Sequence, residues 1–101
     1  MKSLLVLFLL STGLFFVNEN PVPFTLRNES VKSIPLRIPG VMNPNLSPMS
    51  NSGVRLKVGQ KIFFYHKRKK YLLLEVKENL RDTKVKVSKL ISERKKELNL
   101  R

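Results

Sequence analysis

Cysteine and tryptophan are absent from this sequence, and histidine and aspartate occur once each, as His66 and Asp82. Without thiols there are no disulfide staples, no thiolate metal sites, no thiol nucleophile and no iron–sulfur cluster. A Ser-His-Asp system would have to use His66 with Asp82 or with a glutamate, yet the neighbours of His66 are Lys67-Arg68-Lys69-Lys70. Those cations provide no carboxylate to orient the imidazole. One histidine with scattered carboxylates also lacks the ligand clusters of zinc and copper centres. Glu75 and Glu78 lie close together in sequence, whereas the paired carboxylates of glycosidases come from separate elements. Glycine is scarce too: its four copies stand isolated at 13, 40, 53 and 59, so no loop can cradle phosphate in the manner of nucleotide enzymes. The expectation is a protein that is not an enzyme, with no cofactor, no metal and no small-molecule substrate.

What is present is apolar sequence and positive charge. With 42% hydrophobic residues in 101, the chain is too apolar for complete disorder and too short for two domains. Lys and Arg number 20 against 7 acids, a net charge of +13. The charge is uneven: residues 54–101 hold 16 Lys or Arg against 5 acids, and residues 21–53 hold 3 against 1.

The N-terminus sets a destination. Met1-Lys2-Ser3 precedes the apolar run Leu4-Leu5-Val6-Leu7-Phe8-Leu9-Leu10, which resumes in Leu14-Phe15-Phe16-Val17, the layout of a secretory signal peptide. From Leu4 to Val17 there are 14 residues, short of the roughly 20 that span a bilayer. Residues 1–20 are therefore read as a signal helix, with an uncleaved membrane anchor as the alternative, and residues 21–101 as one exported domain.

That domain reads as mainly β. Val22-Pro23-Phe24-Thr25-Leu26-Arg27 and Ser33-Ile34-Pro35-Leu36-Arg37-Ile38 alternate at period two. Asn28-Glu29-Ser30 between them supplies side chains that bond nearby backbone. Pro35 lacks a ladder donor, which suits an edge strand or a position turned away from a partner. Residues 39–53 hold three Pro, two Gly, three Asn and three Ser and read as one long loop, with Val41, Met42, Leu46 and Met49 packing it back. Val54 to Val58 is a further strand. Lys61 to Tyr65 and Tyr71 to Val76 form a hairpin across a basic turn at 66–70, placed centrally because both strands are continuously apolar. Residues 83–87 form a last short strand, and Ser88 caps a helix over 88–98 with Leu90, Ile91 and Leu98 inward. The expected fold is α+β, a small antiparallel β-sandwich or open barrel of about six strands with one C-terminal helix.

Ser33-Ile34-Pro35-Leu36, Ile38-Pro39-Gly40-Val41-Met42-Asn43-Pro44-Asn45-Leu46-Ser47-Pro48, Ser50-Asn51-Ser52-Gly53-Val54 and Val58-Gly59-Gln60 resemble a group of small exported flavobacterial proteins without an assigned function. The resemblance covers most of residues 24–98. It implies a Gram-negative envelope protein and brings no catalytic or binding residues with it. The present chain departs from the group at 66–70, where a glycine would ease the turn and this sequence has cations.

Two surfaces are candidates for contact. The first is the turn, with Lys67, Arg68, Lys69 and Lys70 flanked by Tyr65 and Tyr71, a cluster able to hold an anionic envelope surface or a protein partner by counterion release and stacking. Export directs the expectation away from nucleic acid. The second is the Pro-rich loop, with Met42, Asn43, Pro44, Asn45 and Leu46, which an inhibitor or chaperone-like module would present as an extended ligand. Lysine on strands also keeps a small β protein from self-association, whatever else it does.

Overall fold

The computed structural model describes residues 20–100. The signal helix expected over residues 1–20 therefore lies outside the described residues, apart from Asn20. Seven strands and one α-helix follow in order: β1 (Val22–Asn28), β2 (Ile34–Arg37), β3 (Asn45–Leu46), β4 (Ser50–Leu56), β5 (Lys61–His66), β6 (Lys69–Glu75), β7 (Lys84–Lys86) and α1 (Val87–Glu97), with a 3-10 turn at Glu78–Leu80 before β7. One sheet has the order β4-β1-β7 and the other β3-β2-β5-β6. The inner faces of both sheets contribute to a single core, so the domain is a small β-sandwich closed by α1.

The period-two pattern explains the core. In β1, Val22, Phe24, Leu26 and Asn28 are buried and the residues between them are half-exposed. Across the core stand Leu36, Ile62, Phe64 and Leu73 of the second sheet, with Ile38, Leu46, Val76 and Val87 closing the ends. Each such side chain contributes about 1.5–3 kcal/mol by leaving water.

Several elements differ from the sequence expectation. Of the two placements expected for Pro35 the structure takes the second: β2 is not an edge strand but lies between β3 and β5, with the Pro35 nitrogen turned away from its β3 partner Asn45. Leu36 N–H donates to Pro44 O on the β3 side at 2.8 Å, so the alternation of the strand turns the Pro35 nitrogen toward β5. The β2–β5 ladder starts one residue later, at Leu36↔Phe64, and the missing donor is thus harmless.

The long loop is shorter than expected. β4 begins at Ser50, and Asn28↔Ser50, Arg27↔Asn51, Leu26↔Ser52 and Thr25↔Gly53 extend its pairing with β1. Ser, Asn and Gly disfavour strands intrinsically, but the waiting edge of β1 overrides that preference. β3 also forms inside the expected loop, pairing Ile34↔Leu46 and Pro35↔Asn45. Of the four apolar loop residues only Leu46 packs inward; Val41, Met42 and Met49 are exposed.

β6 is an edge strand, not a central one. Its apolar run is accommodated by a bulge at Leu73, since Ile62 faces Leu74 while Phe63 faces Leu72. The bulge turns Leu73 into the core and leaves Leu72 and Leu74 half-buried.

The sheets are not wholly antiparallel, because β7 runs parallel to β1. The chain reaches the free side of β1 through Asp82 N–H to Pro23 O at 2.8 Å and Thr25 N–H to Thr83 O at 3.0 Å, and continues in the same direction into α1. The helix starts at Val87, and no side chain caps it. Ser88 Oγ instead accepts from Glu29 N–H at 3.3 Å. Leu98 is exposed; Leu100 packs against the core in its place.

Candidate functional site

The hairpin β5–β6 positions the basic cluster. His66 pairs with Lys69, so the turn is only Lys67-Arg68, and both residues have positive φ, 51° and 70°. A two-residue turn with both residues left-handed has type I′ geometry, which matches the strand twist and ordinarily takes Asn-Gly. Here two side chains with a Cβ occupy it, at a cost of about 1 kcal/mol each. The expected five-residue turn is therefore a two-residue apex, with His66, Lys69 and Lys70 belonging to the strands.

The pleat then distributes the side chains. Phe64↔Tyr71 and His66↔Lys69 share one face of the hairpin, and Tyr65↔Lys70 lie on the other. Tyr71 is half-buried and packs on the core, its ring centroid 5.9 Å from Phe64 and 6.4 Å from His66. Only Tyr65, 41% exposed, presents a free ring surface. The two tyrosines thus do not form a common platform. Lys70 Nζ stands 4.7 Å from the centroid of Phe63, a cation–π contact that holds the lysine stem along the outer face. Lys67, Arg68, Lys69 and Lys70 are all exposed. Elsewhere in the domain, ion pairs join Arg27 to Glu29, Arg81 to Glu78 and Arg94 to Glu97.

The Pro-rich segment is built differently. Ile38 and Met42 form an isolated bridge, with Val41 N–H and Met42 N–H both donating to Ile38 O and Gly40 at φ 78° closing the turn. Pro44 O accepts from Leu36, Asn45 belongs to β3 and Leu46 is buried. Met42 and Asn43 remain exposed. The backbone of this segment is engaged by β2 through Pro44 O and the pairs Ile34↔Leu46 and Pro35↔Asn45.

One residue read from the sequence only as part of a local turn organises this end of the molecule. Asn28 is the sole buried polar residue among those described. Its Nδ2 lies within 2.8 Å of Lys32 O and 3.1 Å of Leu46 O and Ser47 O, and its Oδ1 accepts from Ser30 N–H and Ser30 Oγ at 2.8 Å. The Asn-x-Ser turn was legible; the tie from β1 to β3, 18 residues away in sequence, was not. Further along α1, Arg94 Nε donates to Leu72 O at 2.9 Å while its guanidinium pairs with Glu97 at 2.7 Å. That contact fastens α1 to the edge of β6.

His66 stands on β5 of one sheet, and Asp82 adjoins β1 of the other. Glu75 ends β6, whereas Glu78 lies in the 3-10 turn, hydrogen-bonded to Arg81. That bond holds the Glu78 carboxyl below its ordinary range and raises Arg81. No group of three or more His, Asp or Glu able to hold a metal occurs among the described residues, and no helix among them is long and apolar enough to cross a membrane. Comparison of the chain with protein-family models, curated proteins and solved structures finds no match.

Proposed function

We propose that this is an exported, non-enzymatic envelope protein whose β5–β6 apex binds an anionic lipid surface. The observation that carries the reading is the apex itself: Lys67 and Arg68 occupy left-handed positions that glycine or asparagine would fill with less strain. Strain of this kind points to a retained role for the side chains involved. Lys69 and Lys70 extend the cluster along the strands, and a lysine or arginine near an anionic leaflet contributes about 1 kcal/mol in favourable positions. The apolar run of residues 4–17 behind Lys2 supports export or a membrane tether, either of which puts the domain beside such a surface. The Pro-rich loop is not advanced as a ligand, since its backbone is paired and Leu46 is buried.

Co-sedimentation with vesicles tests the reading. The protein binds vesicles containing phosphatidylglycerol and releases them as salt rises, because screening weakens exposed charges. Reversal of Lys67, Arg68, Lys69 and Lys70 to glutamate abolishes that binding. Undiminished binding by the reversed protein, or equal binding to phosphatidylcholine vesicles, refutes it.

A further inference from the structure

Where β2 and β5 part company, the structure holds a cleft that the apex reading does not use. The two strands pair only through Leu36↔Phe64 and Arg37↔Phe63. Beyond them Pro35 has no N–H to continue the ladder toward Tyr65, and α1 crosses the gap. The space is about 460 Å³, within the range of small-molecule sites. Its floor is apolar, made by Ile34, Phe64 and Ile91, and its rim carries Lys32, Lys95, Ser33 and Ser92.

The rim is one-sided in chemistry. No carboxylate lines the cleft. The Lys32 and Lys95 ammonium groups and the Ser33 and Ser92 hydroxyls have no hydrogen-bond or ion-pair partner among the described residues. Lys95 is half-buried, its stem packed along the cleft while its charged end reaches the rim. Ser88, Ile91, Ser92 and Lys95 fall at i, i+3, i+4 and i+7 of α1, so one face of the helix presents both the apolar floor and the cationic rim.

We infer that this cleft binds a small anionic amphiphile: one apolar chain laid on Ile34 and Ile91, with a carboxylate head between Lys32 and Lys95. The fit rests on charge complementarity with the rim and on the apolar side chains of Ile34 and Ile91. The ligand is held and not transformed, since the cleft contains no nucleophile paired with a base.

Decanoate titrated into the isotope-labelled full-length chain, followed by amide chemical shifts, tests this site by site. Saturable shifts at Ser33, Tyr65, Ser92 and Lys95 are expected. Binding weakens at least tenfold in Lys95→Glu and is blocked in Ser92→Phe, which places a ring in the cleft from an exposed helix position. Decanol, which has the chain without the charge, binds at least tenfold more weakly. The Lys67→Asn/Arg68→Gly protein, altered only at the apex, retains full decanoate binding, which separates this site from the vesicle-binding one. Absence of saturable shifts at these amides, equal binding of decanol, or unchanged binding in Lys95→Glu overturns the inference.

Discussion

The hairpin apex and the Pro-rich loop are both surface connections rich in the residues that sequence reading associates with contact, yet they are put together in opposite ways. The apex is strained and its cations are exposed. The loop is hydrogen-bonded to β2, anchored by Leu46 and fastened to β1 through Asn28. The difference teaches that composition alone does not distinguish a presented surface from a structural seam. What distinguishes them is whether the backbone groups and apolar side chains already have partners inside the molecule. On this account the apex carries binding with little stability, and the loop carries stability with little binding.

The largest expected effect breaks the loop side. Leu46→Ala removes a side chain 1% exposed and lowers unfolding free energy by about 2–5 kcal/mol, the usual range for a buried leucine. Urea denaturation measures the loss, and the fraction that remains folded still binds anionic vesicles. Asn28→Ala comes next, at about 2–3 kcal/mol, because it leaves buried carbonyls without their donor. A shift of the urea midpoint toward zero, together with faster amide exchange at Leu46 and Ser47, is the expected record. If Asn28→Ala costs nothing, the loop is not held as described.

Arg94→Ala tests a smaller seam. It frees Leu72 O at the β6 edge and costs about 1 kcal/mol, allowing for exposure of the Glu97 partner. Its diagnostic is faster exchange in the last turns of α1, with vesicle binding unchanged. The smallest effect belongs to pH. Glu78 has its carboxyl held below the ordinary range by Arg81, so its contribution is present above the unfolded-state value of about 4.5 and is lost as pH falls through the lower folded-state value. Acid titration followed by chemical shift at Glu78 shows a depressed midpoint that returns to the ordinary range in Arg81→Ala, while the apex remains unaffected.

Much of the architecture was legible because period-two alternation survives in β1 and β2, and because an Asn-x-Ser sequence makes the turn expected at 28–30. The sandwich and its terminal helix follow from those elements. The losses have a common cause in pairing that no local pattern encodes. Ser50-Asn51-Ser52-Gly53 becomes strand only because β1 offers a complete ladder. β7 joins β1 in parallel, from the far end of the chain. The bulge at Leu73 made a continuous apolar run look like a central strand when it belongs to an edge.

For the apex, the cations could be read directly, but the separation of the two tyrosines could not. It depends on a two-residue turn that sets Tyr65 opposite Lys70 and Tyr71 opposite Phe64. The cleft beside α1 was also invisible in sequence, since it arises where Pro35 stops a ladder that only the fold defines.

The most direct test of the contrast between the two connections is a single protein, Lys67→Asn/Arg68→Gly, measured for both stability and vesicle binding. Asn-Gly relieves the left-handed strain while removing two of the four cations. The account predicts a gain of about 1 kcal/mol in unfolding free energy together with a loss of about 2 kcal/mol in affinity for anionic vesicles, roughly thirtyfold. A protein that becomes less stable, or one that gains stability and keeps its full affinity, would contradict it.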